Sequence, residues 1–182
     1  MRHSGVAYTC ATDEKFLQLA AKEQDQAPAG VSNWHWNLSV VLTAAKQAWS
    51  IPGDFVELGV YKGHTTKFLA DYLGFADWPK RWWLFDTFEG VPADQADPGR
   101  EGMTADVYGE AFSFEEVRDR FAPYGNIQVV KGRVPEVFAD RCPEAISFST
   151  SSIRRVFWLG RWVRPRRVCT WAAWGASLTR LR

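Results

Sequence analysis

The 182-residue chain is long enough to bury one hydrophobic core, and 46% hydrophobic with 24% charged residues is ordinary for a globular domain in water. A net charge of +1, averaged over the chain, gives no hint of nucleic-acid binding, and no run of about 18 apolar residues is present to span a membrane. Asp13, Glu14 and Lys15 break up the N-terminus too early for a signal peptide, and Cys10, Cys142 and Cys169 are scattered without metal-ligand spacing, so a reduced, cytoplasmic setting is expected.

Residues 13–24 carry apolar groups at helical spacing (Phe16, Leu17, Leu19, Ala20), with Asp13 and Glu14 in the first turn. A loop with Pro28 and Gly30 follows, then a second helix over 33–49, capped by Asn33 and apolar along Leu38, Val41, Leu42, Ala45 and Trp49. Ile51-Pro52-Gly53 ends it. Asp54 to Val60 is a short apolar run closing on a glycine turn, the pattern of a buried parallel strand. His64 to Gly74 returns to helical spacing with Gly74 as its C-terminal stop, and Trp82 to Asp86 is a second strand. Residues 91–112 are polar and contain Gly and Pro, as in an insertion that covers a site. Residues 113–121 form a helix opened by a Ser113/Glu116 capping box. Ile127 to Val130 is a third strand, Val134 to Asp140 a short helix, and Ala145 to Phe148 begins a fourth strand, after which the pattern stops. Alternating strands and helices imply an α/β, Rossmann-like, doubly wound and mainly parallel sheet.

The charge average hides a break. All 21 acids lie in residues 1–144, which hold 14 Lys and Arg, giving that segment −7; residues 145–182 hold eight Arg and no acid, giving +8. Four of the ten Trp (Trp158, Trp162, Trp171, Trp174) also sit in this tail. A basic aromatic arm for an anionic surface is one reading. Poor helical periodicity, interruptions at Gly160, Pro165 and Gly175, and the absence of Lys favour the other, a shifted reading frame in a GC-rich gene. The expected division is therefore a helical segment over 1–50, a nucleotide-type half-domain over 51–148 and an atypical tail over 149–182.

Ligands of such sheets bind beyond the carboxyl ends of the strands. There the first strand reads Glu57-Leu58-Gly59-Val60-Tyr61-Lys62-Gly63-His64-Thr65-Thr66. Gly59 and Gly63 allow a tight turn and a close approach to a ligand at a helix start. The spacing is G-x-x-x-G rather than G-x-G-x-x-G, and Glu57 would repel a pyrophosphate but suits an ammonium. That chemistry points away from NAD and toward S-adenosylmethionine. The second strand ends in Asp86, where an acid can hold ribose hydroxyls, and Thr87-Phe88-Glu89-Gly90 extends it; the third ends in Lys131-Gly132-Arg133.

The runs Gly53 to Gly63, Phe85-Asp86-Thr87-Phe88-Glu89-Gly90-Val91-Pro92, and Val130-Lys131-Gly132 with Pro135 and Phe138 resemble the macrocin O-methyltransferase family of class I methyltransferases. The likeness covers about residues 33–148. It implies a cytoplasmic enzyme of natural-product biosynthesis that uses S-adenosylmethionine, with Mg²⁺ at the acceptor site, to methylate a hydroxyl of a sugar or natural product. By match of motif, Glu57, Gly59 and Gly63 form the methionine-side turn, joined by Leu58, Tyr61 and Thr65. Asp86 takes the ribose, Thr87 and Phe88 lie beside the adenosine, and Gly132 closes the third strand at the same edge. No catalytic residue is assigned. After Phe148 the family continues Leu-His-Ile-Asp and then a metal-binding acid pair. This chain reads Ser149-Thr150-Ser151 and then no acid, so ligands for Mg²⁺ are expected to be missing and the sheet to keep a bare edge. Codons for Leu-His-Ile read one base late can give Ser-Thr-Ser.

The expected partner is a small-molecule acceptor, with no nucleic acid and no membrane; a homo-oligomer stays open. The competing readings are a non-catalytic donor-binding fragment and an NAD-type Rossmann enzyme. His64, at a helix start, reads as a polar cap rather than a catalyst. Trp34, His35 and Trp36 divide evenly between acceptor pocket and helix packing, Trp82 and Trp83 belong to the sheet core, and the acids from Asp94 to Asp106 read as a solvated lid.

Overall fold

A computed structural model describes residues 12–24, 34–90, 113–141, 143–151 and 156–163. The three cysteines, Asn33 and the 91–112 insertion lie outside the described residues.

In chain order the elements are α1 (Glu14–Gln24), α2 (Trp34–Gln47) running into a 3-10 turn (Ala48–Ser50), β1 (Asp54–Leu58), α3 (His64–Leu73), β2 (Trp82–Asp86), α4 (Phe114–Phe121), β3 (Ile127–Lys131), α5 (Phe138–Arg141), β4 (Ala145–Ser151) and β5 (Val156–Val163). The sheet order is β3-β2-β1-β4-β5. The first four strands of that order are parallel, and β5 runs antiparallel to β4. The order reverses between β1 and β4, as a doubly wound sheet requires, and it is at the carboxyl ends of the strands beside such a reversal that sheets of this kind take their ligands.

Both faces of the sheet are covered. On one, Phe55, Trp82, Leu84, Ile127 and Phe148 pack with Phe16, Leu38, Leu42, Phe68, Leu69 and Phe121 from α1, α2, α3 and α4. On the other, Val56, Leu58, Phe85 and Ile146 meet Phe138 of α5. Alternation along β1 explains the split: Phe55 and Glu57 share one face, Val56 and Leu58 the other. Each fully buried aromatic or aliphatic side chain contributes roughly 1.5–3 kcal/mol, so Trp82, Phe55, Phe68 and Phe121 anchor the domain. Lys80 is buried at the opposite edge, its Nζ donating to the carbonyls of Ile51 (2.5 Å) and Gly53 (2.8 Å).

The capping box is present: Glu116 N–H donates to Ser113 Oγ at 3.2 Å, and Ser113 N–H to Glu116 Oε2 at 2.7 Å. Asp13 caps α1 by accepting from Phe16 N–H at 2.9 Å. Trp34 packs against the core and donates its indole N–H to the Ala20 carbonyl at 3.2 Å, while Trp36 is exposed among the described residues.

Two expectations need correction. The helix expected over Val134 to Asp140 is a single turn, Phe138–Arg141, preceded by turns that include Pro135. The sheet also does not stop at Phe148. β4 runs on to Ser151, and β5 covers the edge expected to be bare. The reason is local: Val156, Phe157, Trp158, Leu159, Trp162 and Val163 are β-branched, aromatic or apolar and pair as a strand whatever their origin. No described helix is long and apolar enough to cross a membrane.

Candidate functional site

The carboxyl ends of β1 and β2 meet here. Leu58 pairs with Phe85 in the ladder, and Gly59 N–H continues it to the Phe85 carbonyl at 2.9 Å. The chain then turns through Gly59 (φ +76°), Tyr61 (φ +55°) and Gly63 (φ +76°) into α3. Gly63 donates to the Val60 carbonyl at 2.9 Å and caps α3 with no side-chain bond, so the first turn of that helix presents backbone N–H groups to whatever occupies the loop.

Asp86 organises this turn. Its Oδ2 accepts from the N–H of Val60 (2.6 Å) and of Tyr61 (2.9 Å), and its Oδ1 accepts from Phe88 N–H at 2.9 Å. Tyr61 and Phe88 are the two non-glycine residues of positive φ among those described, and each is pinned by this one carboxylate. Left-handed backbone at a large side chain persists only where its surroundings over-determine it. A carboxylate offers about four acceptor positions, so three N–H bonds leave one for a ligand hydroxyl.

Glu57 lies beneath the turn, 4% exposed. It accepts the Thr66 hydroxyl from α3. Lys62 Nζ lies over the Tyr61 ring, 5.7 Å from its centroid. Burial pushes the Glu57 carboxyl up to about 8; the Thr66 hydroxyl opposes that rise, and the neighbouring Asp86 adds to it. The folded state thus holds a proton that the unfolded chain releases above the ordinary glutamate value of 4.5, so stability falls as pH rises from there through about 8. Glu57→Gln is accordingly expected to be more stable than the parent at pH 9 and no more stable at pH 4, measured by urea unfolding at both. A variant that is equally stabilised at both would remove burial of the ionised carboxyl as the cause.

The other residues expected at the site separate into two groups. Thr65 is half-buried on the first turn of α3, at the loop. Thr87 turns inward, its hydroxyl donating to the Gly90 carbonyl at 3.0 Å and accepting from Glu89 N–H at 3.3 Å. Phe88 packs edge-on against Phe114 of α4, with ring centroids 5.5 Å apart. Gly132 N–H donates to the Asp86 carbonyl at 2.9 Å, which joins the end of β3 to the same edge. Leu58, by contrast, has its side chain in the core against Val56, Phe85, Phe138 and Ile146, leaving only its backbone to a ligand. Sequence reasoning missed Thr66, and also Glu23, whose carboxylate meets both His64 and Arg120 behind the loop. The available signal for Thr66 was its place one turn into α3, where a hydroxyl points back toward the strand end.

Among the described residues, no three His, Cys, Asp or Glu side chains gather as metal ligands.

The family model described as Macrocin-O-methyltransferase (TylF) matches residues 37–154. The chain belongs to this macrocin-O-methyltransferase family. The match runs six residues past the point, Phe148, where the sequence pattern was expected to end. A curated relative from Streptomyces olivaceus, 8-demethyl-8-(2,3-dimethoxy-alpha-L-rhamnosyl)-tetracenomycin-C 4'-O-methyltransferase, is 34% identical over 109 residues, 57% of this chain. The aligned stretch spans 42% of that relative's length. Among solved structures, the O-methyltransferase NovP superposes with a TM-score of 0.54 at 17% identity, covering 81% of this chain and 72% of the other. That likeness supports the fold. The calicheamicin methyltransferase CalS11 aligns with a TM-score of 0.40 at 18% identity, over 77% of this chain and 64% of the other.

Proposed function

We propose that this chain binds S-adenosylmethionine at the Gly59–Gly63 turn and serves transfer of its methyl group to a hydroxyl of a small-molecule acceptor, a sugar or related natural product. One observation carries the reading: Glu57 and Asp86 stand at the ends of adjacent strands, on either side of one glycine turn, in a member of an O-methyltransferase family. The acceptor class is suggested by the relative that methylates a rhamnosyl-bearing tetracenomycin at a 4'-oxygen, as its name states.

The bound donor would supply an electrophilic methyl on sulfonium. The chain's own residues bind and orient. The Gly59–Gly63 turn takes the amino-acid end, with the buried Glu57 able to lose its proton as a positive group arrives. Asp86 keeps the turn in shape and offers its remaining acceptor position to a ribose hydroxyl, with Thr87 and Phe88 at the adenosine side. Holding the methyl in line with an acceptor oxygen is the main contribution expected of such a site.

Titration calorimetry with S-adenosylhomocysteine and with NAD tests the donor: binding of the first and not the second is expected, and binding of NAD alone overturns the assignment. A second reading, a chain that binds donor without transferring methyl, is favoured by the acid-free run after Glu144, which supplies no carboxylate for Mg²⁺ or for a base. On that reading residues 149 onward are the product of a shifted frame. The nucleotide sequence around codon 148 tests it, and an alternative frame without acids counts against it.

A further inference from the structure

α1 lies ahead of the segment that matches the family, yet it reaches the loop. Glu23, in its last turn, is buried at 8% exposure. One of its oxygens meets two partners: His64 Nδ1 at 3.4 Å, and an Arg120 guanidinium nitrogen. His64 is the first residue of α3, directly after Gly63, and is itself 4% exposed, with its ring 5.9 Å from that of Tyr61 in the turn. Arg120 precedes Phe121, whose ring closes over Gly63. A single carboxylate thus ties α1, α3 and α4 together behind the glycine turn.

A wholly structural network would be expected to close its own hydrogen bonds. This one does not: His64 Nε2 and Arg120 Nε are buried and have no hydrogen-bonding partner among the described residues. The contact from Glu23 Oε2 to Nδ1 holds the imidazole ring in one orientation at the start of α3.

From this we infer that α1 is a working part of the ligand site, in which Glu23 is a positioning residue that holds His64 and, through it, the Gly59–Gly63 turn in its ligand-binding shape. The inference rests on the donor reading above and adds to it a residue that the family match does not include. Because the turn receives the amino-acid end of the donor, the effect of Glu23 is confined to that end.

The test compares S-adenosylhomocysteine with 5'-methylthioadenosine, which has the same nucleoside and no amino-acid end, by calorimetry on the full chain. Glu23→Ala is expected to weaken S-adenosylhomocysteine by about tenfold or more while changing 5'-methylthioadenosine less than about twofold, since misplacing a binding group by an ångström costs on this scale. Glu23→Gln, which keeps an acceptor for Nδ1, is expected to recover most of the loss. Asp13→Asn loosens the other end of α1, where Asp13 accepts from the Tyr72 hydroxyl, and supplies the control for lost helix docking. It is expected to lower the unfolding temperature and leave both affinities in place. Equal weakening of both ligands, or the same loss in Asp13→Asn, makes Glu23 merely structural and overturns the inference. Unchanged binding in Glu23→Ala overturns it too, with the donor reading intact. No binding by the parent chain overturns the donor reading and this inference with it.

Discussion

Asp86→Ala is expected to abolish measurable binding of S-adenosylhomocysteine and to destabilise the fold by about 2–4 kcal/mol, the cost of leaving several partly buried N–H groups without their charged acceptor. The size follows from the number of bonds that end on one side chain. Val60, Tyr61 and Phe88 all donate to it, so both the turn after β1 and the turn after β2 lose their anchor at once. Tyr61 and Phe88 would then relax out of positive φ, and the cradle would open. Asp86→Asn is expected to fall between, because one of its two ends must present an NH₂ to backbone donors. Urea unfolding and calorimetry on the three proteins check this. An alanine variant within about 0.5 kcal/mol of the parent, the usual range for an uninvolved surface position, would show that Asp86 does not hold the turns.

How far the sequence went is clearest at this residue. That an acid would close β2 at the ligand edge was legible from Phe85-Asp86-Thr87, because strand ends and glycine turns have local signatures. That the acid would turn back and hold its neighbours' backbone was not legible, since the bonds span 25 and 26 residues and depend on strand order. Glu57 shows the same division. Its place before Gly59 marked it, but its partner Thr66 could be named only once α3 was set against β1. β1 and β2 were readable from short apolar runs between glycine and polar breaks. β5 was not, because its apolar and aromatic residues are interrupted by Gly160 and Arg161 and lie in an acid-free, Arg-rich run without an alternating pattern. Leu58 adjoins the loop in sequence, but period-2 alternation with Val56 sets its side chain in the core. The network at Glu23 had no sequence signal, as it joins three helices through side chains 41 and 97 residues apart.

Gly63→Ala is the second large effect expected, and its two causes can be separated. At φ +76° a Cβ is strained by about 1–2 kcal/mol, the usual penalty for an L-residue in the left-handed region. A Cβ built there would also stand 2.5 Å from Phe121 Cε2 and 2.8 Å from Cζ, a distance that no side chain tolerates without movement. Phe121 is 1% exposed and packed in the core, so its ring cannot swing clear cheaply, and overpacking of this kind costs about 1–3 kcal/mol. The expected total is about 2–5 kcal/mol with loss of S-adenosylhomocysteine binding. Adding Phe121→Leu makes room for the methyl group. The double variant is therefore expected to cost less than the sum of the two single changes, and the coupling measures the steric part. The backbone part should persist, so binding is expected to return only in part. Strict additivity would mean that Phe121 does not close over the turn, and a Gly63→Ala protein that binds the ligand normally would remove the glycine turn from the ligand site.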